Sequence, residues 1–355
     1  MKKLWILLLF PLYLGGAELE ERVDFLEKQM GEVSTGTANQ TFGANFAPGN
    51  FQKGWIGLFA TGDALYWSSK VGGTEYAYDL LGSAIGFNDS RSGESEEQDF
   101  KWGWGARGSL GLVFPSLGRE IICSGTWFST HQTDHHTQSL PSVLINLKGA
   151  FYSPSNHVSS RYDLSYNDVY LEIKKPFFLS SFLSTYTAIG AKRDWVDQDQ
   201  HLDYTLQEGQ TYHVKDTCHF MGTGLRIGIG TTWHLFAGIN FTVDLGGAVL
   251  YGEFDVRHKE KLTAIREIDL KASSHLFSPE ADFRIGLGWD LYASSYHLGI
   301  SVSYEALYIW RQNKALEMED TTPSSAGGTK GRFQVVRYPE DMTFYGATIR
   351  AKLEF

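Results

Sequence analysis

Cysteine, proline and positive charge are all in short supply in this chain of 355 residues. It has 2 Cys and 9 Pro, and 31 Lys and Arg stand against 41 Asp and Glu, for a formal charge of -10. Two cysteines cannot hold a disulfide-rich scaffold. A chain poor in basic residues lacks the face that nucleic-acid phosphates require, so no nucleic-acid partner is expected. After the first seventeen residues no apolar run approaches the ~20 residues of a membrane-spanning helix. Membrane residence past that point therefore needs strands. Glycine and aromatic rings are abundant instead: 38 Gly, 23 Phe, 18 Tyr and 10 Trp. Many rings and glycines with little proline suit strands that carry ring-bearing faces and approach one another closely.

Residues 1–17 have a basic start (Lys2, Lys3), an apolar stretch over Leu4–Leu14 and small residues at Gly15 and Ala17. This pattern reads as a secretory signal peptide. In residues 18–33, Leu19, Val23, Leu26, Met30 and Val33 form a heptad seam. It predicts a short periplasmic amphipathic or coiled-coil helix, either joining subunits into a homo-oligomer or lying against another surface. Residues 34–54 are polar and rich in Gly and Asn, and read as a linker. The main domain is expected over 55–355.

From residue 55 the period is two. In the last strand, Tyr345, Ala347, Ile349, Ala351, Leu353 and Phe355 share one face, while Arg350, Lys352 and Glu354 share the other. The same split recurs over 100–114, 221–229, 281–291 and 296–311. These strands exceed the 5–6 residues usual in soluble sheets and match the ~9–11 of a membrane strand. Trp102, Trp104, Tyr296 and Trp310 sit toward the ends of apolar faces, as in aromatic girdles. The opposite faces carry both Arg and Asp, which a dry core rejects unless they are paired. The expected fold is all-β: a transmembrane antiparallel up-and-down β-barrel of 10–12 strands. Its apolar face would meet lipid and its charged face a wet lumen.

Ten strands are placed near 55–67, 99–114, 119–132, 160–174, 181–195, 216–231, 234–258, 274–292, 296–311 and 342–355. Long polar intervals at 68–98, 133–159, 196–215, 259–273 and 312–341 alternate with short turns at 115–118, 175–180, 232–233 and 293–295. That is the outer-membrane pattern of outside loops and periplasmic turns, and it makes the strand number even. A break at Gly246-Gly247 would instead give twelve strands. The pair could equally be a bulge where the lipid-facing phase slips from Leu245 to Ala248.

Several segments resemble one family. They are Gly54-Trp55 with Asp63-Ala64-Leu65-Tyr66-Trp67; Leu164-Ser165-Tyr166-Asn167 with Leu171-Glu172-Ile173; Gly190-Ala191-Lys192 with Trp195-Val196-Asp197-Gln198; the stretch from Tyr304 to Asn313; and Phe344-Tyr345-Gly346-Ala347-Thr348 through Phe355. Over roughly residues 54–355 the chain is similar to the Legionella-type major outer membrane proteins, MOMP-like pore-forming proteins also found in chlamydia-related bacteria. The resemblance implies a pore in the outer membrane of a Gram-negative bacterium. Separately, Phe355 with apolar residues at alternate positions before it matches the barrel-insertion signal at the end of outer-membrane proteins.

The expected pore lining is Lys101, Arg107, Asp168, Glu172, Lys192, Asp194, Arg226, Asp244, Asp282, Arg284, Asp290, Glu305, Arg311, Arg350 and Lys352. Charges of both signs in a lumen select solutes by charge. The alternative is mutual pairing that satisfies a narrow interior. The acidic stretch 88–99 would lie at the mouth and favour cations. His131, Asp134, His135 and His136 cluster at a strand's outer end. They suit a metal site, an Asp–His pair activating water, or a solvated loop tip, and the loop tip is the simplest. MGTGLRIGIG (221–230) lies in a strand with no following helix, so it is no nucleotide loop. No cofactor and no catalytic residue are implied. The leading expectation is a porin passing small hydrophilic solutes and ions, with outer-membrane lipid and barrel-assembly machinery as partners. A surface adhesin or structural protein, and a barrel hydrolase using His131–His136, are the alternatives.

Overall fold

Alternating side chains over long stretches favour extended chain, and the short turn sequences between them favour neighbouring antiparallel strands. The computed structural model follows this rule through residues 56–80, 93–114, 117–138, 143–148, 154–180, 182–206, 209–262, 266–292, 296–320 and 333–355, which are the residues described. The signal peptide, the heptad seam with Leu19, Val23, Leu26, Met30 and Val33, the linker and Trp55 lie outside them.

Fifteen strands follow in order: β1 (Gly57–Val71), β2 (Ala77–Leu80), β3 (Gly93–Glu96), β4 (Gly103–Phe114), β5 (Arg119–Thr137), β6 (Val143–Asn146), β7 (Pro154–Ser180), β8 (Leu183–Leu206), β9 (Thr211–Phe236), β10 (Ile239–Leu262), β11 (Arg266–Tyr292), β12 (His297–Asn313), β13 (Leu316–Asp320), β14 (Phe333–Arg337) and β15 (Glu340–Glu354). Ten of them, β7-β5-β4-β1-β15-β12-β11-β10-β9-β8, run side by side, and β8 pairs back onto β7. All these pairings are antiparallel, so the sheet closes into a ring without a free edge.

The count is ten and not twelve. Residues 239–262 form a single strand, and the register runs without a shift through Gly246 and Gly247. The expected phase slip is absent: Leu245, Val249 and Tyr251 stay outward, while Ala248 is buried inside. The turn before β10 lies at Ala237-Gly238, both at positive φ, where glycine is the residue without strain.

The strands are longer than the sequence suggested. The polar intervals 196–215 and 259–273, expected as loops, are mostly strand in β8 to β11. Toward this end of the strands the inward positions stay buried while the outward ones turn polar: Asp197, Asp199, His201 and Asp203 on β8, and Glu253, Asp255, Arg257 and Lys259 on β10. Below that level the outward face is apolar, with Ile189, Leu225, Ile227, Ile229, Leu245, Val249, Leu287, Ile300, Val302 and Ile349 all exposed. Tyr66, Trp102, Trp104, Trp127, Tyr251, Phe277 and Tyr304 sit on the same face, and Tyr66 stacks on Trp102 at 5.2 Å.

At the loop end, β2 pairs with β3 and with β6, and β6 continues onto the start of β7. These short strands bury Tyr76, Ala77 and Leu144 against Val158, Leu202, Tyr204, Tyr212 and Val214. Beneath them the inside of the ring is apolar. Trp67, Phe128, Tyr166 and Phe344 pack ring against ring at 4.9–6.3 Å, with Leu65, Leu250, Phe254 and Ile309 in the same cluster. Near its end β12 turns inward at Arg311, which has a φ of 55°. The chain then crosses the interior as a strap. Gln198 Nε2 on β8 and the Cys218 thiol on β9 donate to the Gln312 carbonyl, Ser278 on β11 donates to the Gln312 side chain, and Asn313 Nδ2 donates to the Gly72 carbonyl beyond β1.

Candidate functional site

The charged residues form a layer inside the ring, on the short-turn side of the aromatic cluster. Strand register creates it. Asp63 on β1 lies directly opposite Arg107 on β4 and Arg350 on β15. Arg350 holds its carboxylate at 2.6 and 2.8 Å, and Arg107 approaches to 3.3 Å. Arg107 also forms a fork with Glu305 at 2.9 and 3.1 Å. On the far wall, Arg284 on β11 lies opposite both Asp244 on β10 and Glu305 on β12, at 3.1 and 3.6 Å. Opposite charges facing each other across neighbouring strands are the stabilising arrangement.

The third group departs from that rule. Asp168 on β7 and Asp194 on β8 lie directly opposite each other. Lys192 Nζ reconciles them, 3.4 Å from Asp168 and 3.2 Å from Asp194, and it also pairs with Glu280. Tyr166 hydroxyl donates to Asp168 and accepts from Lys192, and the Thr126 amide donates to Asp168. Neither oxygen of Asp194 has a hydrogen bond among the described residues. Beside this group, Arg226 forks onto Asp282 at 2.5 and 3.0 Å and lies 3.5 Å from Glu172, which also meets Lys174 at 3.2 Å. The room for that fork comes from Gly246, where a Cβ would strike both Asp282 and Arg226.

Counting the layer, Arg107, Lys174, Lys192, Arg226, Arg284 and Arg350 give six positive charges. Asp63, Asp168, Glu172, Asp194, Asp244, Glu280, Asp282 and Glu305 give eight negative ones, an excess of two. Toward the short-turn end the layer opens into a cavity of about 360 Å³. Its walls include Asp290 and Glu354, both bound to His297, and Lys352, which lies 3.0 Å from Glu354.

Of the fifteen expected lining residues, thirteen face this interior. Two do not. Lys101 precedes β4 and is exposed, because the strand begins only at Gly103. Arg311 is exposed because the inward turn of the strap breaks the alternation of β12 and gives the interior position to Gln312. Asp63, Lys174 and Glu280 belong to the layer and were absent from the expected set. Each lies at even spacing from a named charge or on the quoted Asp63-Ala64-Leu65-Tyr66-Trp67 stretch, and strand parity alone would have found them.

The His131–His136 group is no loop tip. It lies within β5, and alternation splits it between two faces. His131 pairs outward with Asp163, and His135 stacks on His157. Asp134 turns the other way and accepts from Gln98 Nε2 and the Asp99 amide. His136 lies near Glu96 at 3.6 Å. Phe355 exchanges backbone hydrogen bonds with Leu58 of β1, at the short-turn end. Cys123 is exposed, Cys218 is buried, and both are free.

Several solved structures show a distant likeness to the chain. The outer membrane protease OmpT of Escherichia coli is 9% identical with a TM-score of 0.41, covering 84% of this chain and 96% of its own. The Pseudomonas putida toluene transporter TodX is 10% identical with a TM-score of 0.33, covering 90% and 93%. The translocator domain of the autotransporter NalP of Neisseria meningitidis is 9% identical with a TM-score of 0.34, covering 95% and 97%. At these scores they bear on neither substrate nor mechanism. No curated protein matches the chain. The family model of the Legionella pneumophila major outer membrane protein precursor matches residues 52–355. The chain belongs to that family, and it is a protein of the bacterial outer membrane.

Proposed function

We propose that the ring is a transmembrane β-barrel of ten strands and that the protein is a porin for small hydrophilic solutes and ions, with a preference for cations. One observation carries the reading. The outward face is apolar at the level where the inward face holds fourteen charges with a surplus of two carboxylates. Lipid accepts such an outer face, and a charged interior is what a polar solute meets on its way through. In this orientation the 360 Å³ cavity is a periplasmic vestibule. Ten strands enclose little more than side chains can fill, and the strap and aromatic cluster occupy the outer half. The resting barrel is accordingly closed on the outside, and conduction requires the strap to withdraw. No step is covalent, so no residue has a catalytic role. Outer-membrane lipid and the barrel-assembly machinery are the partners.

Purified protein refolded into planar bilayers tests this. Stepwise ohmic openings are expected, with reversal potentials in a salt gradient on the cation side. Silence at all voltages sinks the porin reading, and anion selectivity sinks the charge argument. A second reading, a surface-exposed structural or adhesive protein, draws on the polar outward face of β8 to β11 above the apolar band. Silent bilayers together with binding of intact protein to host-cell surfaces would favour it.

A further inference from the structure

At the loop end, side chains from three strands converge without belonging to the charged layer. Asp79 of β2, Glu96 of β3 and His136 of β5 each place one potential ligand atom within 4.8 Å of the others. All three are partly buried. One imidazole nitrogen and two carboxylate oxygens are all donors that zinc accepts, and three protein ligands leave a position for water. In a tetrahedral shell with bonds of ~2.0–2.1 Å, ligand atoms sit about 3.3–3.5 Å apart, so modest side-chain rotation would complete it.

One further observation suits a cation here. Asp79 Oδ1 is enclosed and has no hydrogen bond among the described residues. Its other oxygen accepts from Gln138 Nε2 at 2.6 Å, and that same amide nitrogen lies 3.3 Å from His136 Nε2. The sequence places the three ligands far apart and only strand pairing unites them: β2 with β3, and both with β5 through the loop-end sheet.

We propose that Asp79, Glu96 and His136 bind a divalent transition metal of the zinc class, which fastens the β2–β3 hairpin over the loop end of the ring to β5. The site holds whether or not the barrel conducts. It is distinct from the exposed histidines of the outer wall, of which His219 lies 2.8 Å from Asp197 and 3.9 Å from Asp199 and is the competing candidate.

The test uses the full chain refolded in detergent and zinc chloride alone, by titration calorimetry. One zinc ion per chain is expected. Asp79→Asn, Glu96→Gln and His136→Ala should each weaken binding about tenfold or more, while His131→Ala and His219→Ala leave it unchanged. X-ray absorption at the zinc edge of the wild-type protein supplies a readout independent of variant folding. It should show only nitrogen and oxygen neighbours at ~2.0–2.1 Å. Absence of zinc binding overturns the proposal. So does binding that survives the three ligand substitutions, or that disappears with His219→Ala.

Discussion

Three carboxylates share the Lys192 ammonium, and two of them, Asp168 and Asp194, face each other across the β7–β8 ladder. Like charges directly opposite on a sheet repel, so Lys192 holds a cluster that would otherwise fly apart. Replacing it by methionine leaves buried carboxylates without their counter-charge, and that costs ~3–5 kcal/mol. Asp194→Asn removes one excess charge and leaves the lysine two anions. It should stay within about 1 kcal/mol of wild type. Urea unfolding of the refolded protein, read by the mobility of folded and unfolded forms in gels, compares the two. Equal losses would mean that the lysine is not the organising charge. At the loop end, His258 lies between Asp216 at 2.5 Å and Glu260 at 2.6 Å. Lys148 is 3.9 Å from Asp216, and the Tyr212 hydroxyl donates to Glu260. Burial disfavours the imidazolium, but the hydrogen bonds and charges of the two carboxylates outweigh it and push its pKa up to about 9. A histidine whose folded pKa lies above its unfolded value of about 6.5 adds stability below that pH, and the contribution is lost as the pH rises through 9. Wild type should therefore lose on the order of 3 kcal/mol more than His258→Gln between pH 6 and pH 10. Parallel curves for the two proteins would exclude the buried imidazolium.

If the protein is the proposed porin, the strap from Gln312 to Leu316 is the element that decides whether a path exists. Its backbone and side chains take hydrogen bonds from β8, β9 and β11, and Lys314 rests 3.5 Å over the Phe254 ring. Arg311 takes up a left-handed conformation to send the chain inward, at a cost of order 1–3 kcal/mol for a non-glycine residue. The strap is thus held by its contacts and loaded at its hinge. Excising 312–316 and closing the gap with glycine and serine should raise single-channel conductance severalfold while leaving selectivity with the inner layer. Unchanged conductance would place the block in the aromatic cluster instead. Nothing in the sequence marks this strap. Gln312, Asn313 and Lys314 look like the first polar residues of an outer loop, and only the break in the alternation after Trp310 sets them apart from the regular part of β12. The strands themselves were legible, because period two is a local property. Their outer ends were missed for a physical reason: an apolar outward face was the criterion, and on β8 to β11 the outward face turns polar while the inward face goes on alternating. The charge layer was legible to the extent that parity held. Lys101 and Arg311, at the two ends where it fails, were misplaced.

For the whole molecule, the proposed transmembrane barrel makes the change in outward chemistry along single strands the measure of how deep the ring sits. Strands of 24–27 residues such as β8 and β11 run roughly 80–90 Å along their axes. Even tilted by ~35–45° they rise well beyond a hydrocarbon layer ~30 Å thick. On β10 the outward series is Leu245, Val249 and Tyr251, then Glu253, Asp255, Arg257 and Lys259. A charged side chain on the lipid face costs about 2–4 kcal/mol at the bilayer midplane and little at the interface. On the proposed reading the boundary therefore lies near Tyr251, whose ring packs on Phe277 of β11 at 5.0 Å. The depth can be read by cysteine labelling. In a chain with Cys123 and Cys218 both replaced by serine, single cysteines at positions 245, 249, 253, 255 and 259 would be exposed to a membrane-impermeant maleimide on intact cells. Positions 255 and 259 should label fully, 245 and 249 not at all, and 253 in part. The inward neighbour Val256, changed to cysteine, should stay unlabelled even though it lies beyond the boundary, because the ring encloses it. Labelling at 245, or a signal that rises evenly along the strand, would mean that the apolar band does not lie in the membrane. The orientation assigned to the charge layer and its vestibule would fall with it.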